Sequence, residues 1–198
     1  SPNTGAEAAA ERAAAIRINS HVPVNNAELA FVYGSSQAAL ATLDRVATVA
    51  TYTGSLTYPN TGFGNALKAV AGSMVKGIGT KIFYVTTGGF DNHSAQNVNQ
   101  TNGAYYVNMA TLNDGLIAFY NDLKNQGLLE DTLILTFSEF GRPTSEHGSQ
   151  GTDNGSASAL LLTGGQGSGR VYGPRPTRNA DHPHRPPQTP PPALPLDP

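Results

Sequence analysis

The stretch Ile82-Phe-Tyr-Val-Thr-Thr-Gly-Gly-Phe-Asp-Asn-His93 predicts both the fold and the site. Its first part is a short apolar run rich in β-branched and aromatic residues, which is typical of a buried strand. The run breaks at Gly88 and Gly89, and Asp91 and His93 follow on the loop beyond. Because ligands of open α/β sheets bind beyond the carboxyl ends of the strands, we expect a functional site at this loop.

A second predicted strand ends in the same way. The segment Thr132-Leu-Ile-Leu-Thr-Phe-Ser138 leads directly into Glu139-Phe-Gly-Arg142. Between the two strands, well-phased apolar residues predict a long helix over about 104–126. Strand, helix and strand in this order form a crossover unit, which predicts parallel strands with helices on the sheet faces. A third strand is predicted over 157–163.

The rest of the chain divides into further helices, one loop and an unusual end. Helices are predicted over 5–17, over 25–50 with a break at Gly34-Ser35-Ser36, and over 65–76, with a loop at 52–64. From Pro174 to the end of the chain, ten residues are Pro, and few of the others are apolar, so no core can form there. Residues 1–173 are therefore assigned to one domain, and 174–198 to a tail that is either disordered or not native to the domain.

Composition excludes several classes of protein. The chain has 198 residues, a net charge of −2 and no basic stripe, which argues against nucleic acid as a partner. Cysteine is absent, so disulfides and thiolate zinc sites are excluded. No run approaches the roughly 20 apolar residues of a membrane span. The chain begins without Met or a signal peptide, and we interpret this beginning as processed or truncated.

Asp91 and His93 form the first candidate site. In an extended loop their side chains point the same way, so both can face one ion. Oxygen and nitrogen ligands together suit Zn, Mn or Fe, and oxygen ligands alone suit Mg or Ca. Taken alone, the pair is equally typical of an Asp that caps the loop and a surface His.

Glu139 and Arg142 form the second candidate. A Glu at the end of a strand can ligate a metal, act as a general base or cap a helix. The fork of Arg142 suits phosphate, sulfate or carboxylate, and the structural alternative is a salt bridge to Glu139 or Glu146.

The third candidate is the loop His147-Gly-Ser-Gln-Gly-Thr-Asp153-Asn154-Gly155. Its glycines would permit close backbone approach to a ligand, and the loop is equally typical of a lid or an ordinary polar connection. His147 is the weakest candidate, because most lone loop histidines are simply solvated. The chain has no Gly-x-Ser-x-Gly elbow, phosphate-binding Gly-Lys loop or His-Glu-x-x-His motif, which removes the common hydrolase, nucleotide-binding and zincin classes.

Taken together, these motifs resemble the DUF1501 proteins over about Tyr58 to Gly173. The segments that carry the resemblance are Tyr58-Pro-Asn-Thr-Gly-Phe-Gly64, Phe83 to His93, Phe119-Tyr-Asn-Asp-Leu123, Thr136 to Arg142 and Gly151-Thr-Asp-Asn-Gly155. That bacterial family is uncharacterised, is often exported by the twin-arginine route and is related to the alkaline phosphatase and sulfatase fold. The resemblance implies an α/β/α sandwich around a largely parallel sheet, incomplete here, and a periplasmic or secreted protein.

The resemblance also implies a divalent metal cofactor, which would be Zn, Mn, Fe or Ca. Asp91, His93 and Glu139 match positions of metal ligands, and Asp153 lies in the loop that provides a further ligand. Asn154 departs from the family pattern Gly-Thr-Asp-His-Gly, although an Asn oxygen can still bind a hard cation such as Ca. In folds of this family the N-terminal part carries the first strand, with the nucleophile and its metal-binding acid. Nothing in residues 1–50 resembles such a strand.

Two functions follow from the resemblance. The first is metal-dependent hydrolysis of phosphate or sulfate esters, with a small anionic ester as substrate and Arg142 holding its charge. The second is a non-catalytic or degenerate secreted or periplasmic binding domain that lacks a complete site, since a fold does not fix a function.

Overall fold

The computed structural model describes residues 5–21, 25–96, 103–143, 145–156 and 158–165. These residues form four helices and two strands, namely α1 (Ala6–Ile18), α2 (Ala27–Val49), α3 (Gly62–Val75), α4 (Ala104–Asn125), β1 (Leu133–Thr136) and β2 (Leu161–Gly164). They divide into two compact units. The first contains the described residues up to Thr86 together with Asp114–Gln126, and the second contains Thr87–Asn113 and the described residues from Gly127 onward.

The four predicted helices are confirmed, with small differences at their ends. Helix α2 runs without interruption through Gly34, so the predicted break there is wrong. Helix α3 begins at Gly62, earlier than predicted, because the Thr61 side chain accepts a hydrogen bond of 3.0 Å from the backbone N–H of Gly64. After α4, Gly127 has a φ of +70°, the left-handed conformation that ends many helices.

The predicted α/β/α sandwich with a largely parallel sheet is wrong. The sheet found among the described residues has two strands, β1 and β2, which pair antiparallel from Leu133 with Gly164 to Thr136 with Leu161. Residues 81–87 form no strand there, and Ile82 and Tyr84 are 87% and 76% exposed. A segment with an apolar pattern forms a strand only where a neighbouring strand supplies hydrogen-bond partners and other residues cover its side chains.

The antiparallel pairing follows from the segment between the two strands. Its described residues form no helix, and Gly141 pairs with Gly155 and His147 with Gly151 in the same antiparallel sense. The chain reverses over residues 148–150, between His147 and Gly151. We call residues 133–164 the hairpin arm, of which Thr144 and Ala157 lie outside the described residues. Parallel strands require a long crossover, whereas strands joined by a reversing segment pair antiparallel.

The hydrophobic core of the described residues belongs to the first unit. Its buried apolar side chains come from α3, α4 and the loop before α3, and they are Tyr58, Phe63, Leu67, Ala71, Ala118, Phe119 and Leu123. The predicted tail 174–198 and residues 97–102, before α4, lie outside the described residues.

A buried carboxylate ties the segment before α3 to α4. Asp122 is fully buried and accepts hydrogen bonds from the hydroxyls of Tyr52, Ser55 and Tyr58 at 2.7–2.9 Å. The backbone N–H of Ser55 donates a further bond of 2.9 Å. Since hydrogen bonds to an ionised acceptor are stronger than neutral ones, these bonds fix the segment 52–58 within the first unit.

Candidate metal centre

The candidate site lies in the second unit, where the loop 91–96 meets the turn of the hairpin arm. The backbone N–H groups of Ala95 and Gln96 donate to the carbonyls of Ser149 and Gln150, both at 3.0 Å. A Cβ at Gly151 would collide with the backbone carbonyl of His93. The glycine therefore permits a close backbone approach, as the sequence predicts, and the partner is the chain's own loop.

Arg142 connects the same two segments from the other side. Its terminal nitrogens donate to the backbone carbonyls of Thr152 at 2.6 Å and Phe90 at 2.5 Å. The guanidinium carbon lies 5.1 Å from the centroid of the Phe140 ring, within the range of a cation–π contact. Among the described residues Arg142 forms no ion pair with either glutamate considered from the sequence. Its role in anion binding stays a prediction.

Four side chains form a continuous series of contacts, which we call the site cluster: Asp91, His93, Asp153 and His147. Asp91 Oδ1 lies 3.0 Å from His93 Nε2. Asp153 Oδ1 lies 3.6 Å from His93 Nδ1 and 3.5 Å from His147 Nε2. The four side chains are between 39% and 78% exposed, so solvent and solutes reach all of them.

The contacts of Asp91 determine which ring nitrogen of His93 donates to it. Hydrogen bonds from the Asn154 amide, at 3.1 Å, and from His93 lower the pKa of Asp91 below its ordinary value, and the charge of Arg142 adds to this. A carboxylate only accepts hydrogen bonds, so His93 donates through Nε2. In the neutral imidazole, Nδ1 then carries a lone pair, and this atom faces Asp153.

The structure brings together three of the four predicted ligands. Asp91, His93 and Asp153 lie in one cluster, whereas Glu139 is exposed on the bend after β1 and shares no hydrogen bond or ion pair with them among the described residues. His147, the weakest candidate on sequence grounds, also joins the cluster. The signal that identifies it is the turn itself, because the glycine-flanked reversal places His147 and Asp153 on opposite limbs of one hairpin.

The donor atoms suit a divalent metal ion. Within the described ranges no group of three or more His, Asp or Glu side chains is already arranged around one point. What the site cluster offers is one carboxylate oxygen with imidazole nitrogens at 3.5 and 3.6 Å. Ligands of a tetrahedral zinc ion, at about 2.0–2.2 Å from the metal, lie about 3.3–3.6 Å from one another. These pairs therefore have the spacing of neighbouring ligands.

Two cavities lie elsewhere, in the first unit. They measure about 430 and 480 Å³ and share the segment 56–58 in their walls. Neither is lined by a member of the site cluster. The chemistry-bearing side chains thus occupy an open surface.

Comparisons with known proteins give one match. A family model described as "Protein of unknown function (DUF1501)" matches residues 6–189, which is most of the chain and extends past the motifs at both ends. No curated protein and no solved structure matches. Among the described residues, none of the helices combines the length and the apolar character needed to cross a membrane.

Proposed function

The chain belongs to the DUF1501 family, and from this premise we propose that it binds a divalent metal ion at the site cluster and hydrolyses a phosphate or sulfate ester there. The observation that carries the proposal is the meeting of two imidazoles on one carboxylate oxygen, that of Asp153. Imidazole and carboxylate are the ligands of hydrolytic zinc and manganese sites. The exposure of the cluster supports access by a substrate.

Each residue has a definite part in this proposal. His93 and Asp153 provide ligands from the two segments, and Asp91 orients the His93 ring through its Nε2–H. When bound, a divalent ion supplies Lewis acidity toward an anionic ester and an activated water. Arg142 holds the two segments together and adds positive charge beside the cluster.

The first prediction concerns metal content. We expect the purified chain to contain about one equivalent of Zn, Mn, Fe or Ca per molecule, and Asp153→Ala to lose it, because that residue contacts both imidazoles. Elemental analysis at known protein concentration measures this. Asp131→Ala, which removes an exposed carboxylate outside the cluster, is the matched control and keeps the metal.

Hydrolysis is tested on the same samples with aryl phosphates and aryl sulfates. Turnover that is lost in Asp153→Ala and kept in Asp131→Ala supports the proposal. A wild-type chain that stays free of metal after incubation with each ion contradicts it.

A non-catalytic metal-binding domain is the second candidate, and Arg142 favours it. Both terminal nitrogens of this arginine donate to backbone carbonyls of the chain itself. The guanidinium then has less capacity to hold a substrate anion. Stoichiometric metal without turnover of either ester would support this candidate over the hydrolase.

A further inference from the structure

We propose that His147 is a nitrogen ligand of the metal centre, beside His93 and Asp153. This inference rests on the proposed metal site, although it does not depend on hydrolysis. It assigns a role to the histidine that the sequence pattern alone leaves weakest.

The backbone of the hairpin arm fixes where His147 lies. Its N–H donates to the carbonyl of Gly151 at 3.0 Å, and its own carbonyl accepts from Gln150 N–H at 3.0 Å. This tight turn directs Nε2 to within 3.5 Å of Asp153 Oδ1. His93 Nδ1 approaches the same oxygen from the other segment, at 3.6 Å.

Ser149 determines which nitrogen of His147 faces the site. Its hydroxyl oxygen lies 2.8 Å from His147 Nδ1 and 3.0 Å from the backbone carbonyl oxygen of His93. The Nδ1 side of the ring is therefore occupied by Ser149, and Nε2 is the nitrogen that faces Asp153.

Three potential ligand atoms therefore lie close together. Asp153 Oδ1 is 3.6 Å from His93 Nδ1 and 3.5 Å from His147 Nε2. The second nitrogen of each ring is held by another side chain, that of His93 by Asp91 and that of His147 by Ser149. Histidine ligands of metal ions are commonly oriented by such contacts at their second nitrogen.

Asn154 occupies a different part of the site. Its amide nitrogen donates to Asp91 Oδ1 at 3.1 Å, so the side chain is directed toward the residue that orients His93. An amide nitrogen with its hydrogens donated is not a metal ligand. Asn154 thus supplies no nitrogen ligand in this arrangement, whereas His147 on the other limb of the hairpin arm has Nε2 facing Asp153.

Calorimetric titration of the full chain with Zn²⁺ tests the inference. We expect His147→Ala to bind Zn²⁺ at least tenfold more weakly than wild type, and His21→Ala, an exposed imidazole of the first unit, to bind as wild type does. Ser149→Ala should weaken binding by about 10–100-fold, as is usual for groups that orient a ligand. Its control is Ser20→Ala, which removes a similar hydroxyl–imidazole contact of 2.9 Å to His21.

Nuclear magnetic resonance of the wild-type imidazoles keeps the test independent of how the variants fold. In long-range ¹H–¹⁵N spectra the Nε2 resonance of His147 should shift on addition of Zn²⁺. If His93 responds to Zn²⁺ while His147 Nε2 does not, and His147→Ala binds as wild type, the inference is overturned and the metal site stands. If wild type binds no Zn²⁺, the proposed function fails together with it.

Discussion

Asp122 is a buried charged residue in the first unit. It is a fully buried carboxylate whose partners are two tyrosines and one serine. Burial alone would raise the pKa of Asp122, but the hydrogen bonds from Ser55 and Tyr58 outweigh burial and lower it. The chain thus contains a buried charge that is compensated entirely by hydrogen-bond donors among the described residues.

Replacing Asp122 by Asn tests this compensation. We expect the free energy of unfolding to fall by about 3 kcal/mol, because each buried donor left without an acceptor costs about 1–3 kcal/mol. Urea unfolding followed by tyrosine fluorescence measures the change. The exposed Asp131→Asn is the control and should stay within about 0.5 kcal/mol of wild type. Equal stability of the two variants would show that the Asp122 bonds contribute nothing.

Tyr52 should make stability depend on alkaline pH. Burial, and then the hydrogen bond and charge of Asp122, raise its pKa from 10.0 to about 12. Below pH 10 the Tyr52 hydroxyl keeps its proton in both the folded and the unfolded chain, so its hydrogen bond to Asp122 contributes its full stabilisation. Between pH 10 and 12 the unfolded chain loses this proton first, so the folded state loses that stabilisation as pH rises toward 12.

The measurement compares wild type with Tyr52→Phe in urea at pH 8 to 11.5. The difference between their free energies of unfolding should stay constant from pH 8 to about 10. Above pH 10 it should narrow, by at most about 1.4 kcal/mol per pH unit, because one proton is involved. A difference that does not change over this range would show that Tyr52 titrates alike in both states.

At the scale of elements, glycines decide how closely the helices can pack. Gly115 of α4 is buried, and a Cβ there would lie 2.6 Å from Cδ1 of Phe63 in α3. Gly34 in α2 would meet nothing within 4 Å. Glycine at position 115 therefore lets α4 pack closely against Phe63 of α3, whereas glycine at position 34 is not required by any packing contact.

Substitution of both glycines by Ala separates these roles. Gly115→Ala should destabilise the first unit by about 1–3 kcal/mol, because overpacking outweighs the gain in helix propensity. Gly34→Ala should stabilise it by about 0.5–1 kcal/mol, since only the propensity changes. Chemical denaturation of the two variants beside wild type checks both signs. Stabilisation by Gly115→Ala would mean that Phe63 moves aside without cost.

For the whole molecule, local periodicity predicts the helices and fails for the sheet. The apolar spacing of α3 and α4 is a property of consecutive residues, so the sequence alone is sufficient. Strand pairing depends on distant segments. From the order strand, helix, strand, the sequence predicts that a strand at 81–87 lies parallel to a strand at 132–138 in one sheet. In the structure β1 instead pairs with β2, across the reversing segment of the hairpin arm.

The site was predictable to the extent that its residues follow from local motifs. Asp91 and His93 share one loop, and Asp153 stands in a glycine-rich stretch, so all three were identified. Glu139 is a predicted ligand because it follows a predicted strand and matches a ligand position of the resembling family, and the parallel sheet which that prediction assumes does not form among the described residues. His147 required knowledge of the turn, which the glycines allowed but did not specify.

The division of the site cluster between two segments has a consequence for the order of folding. Asp91 and His93 are neighbours in sequence, and His147 and Asp153 meet across one turn, so each half assembles from local contacts alone. A hairpin forms in about 1–10 μs, whereas contacts between distant segments wait for the loss of chain entropy to be offset. The site cluster is therefore completed late in folding, when the two segments come together through the hydrogen bond from Ala95 to Ser149.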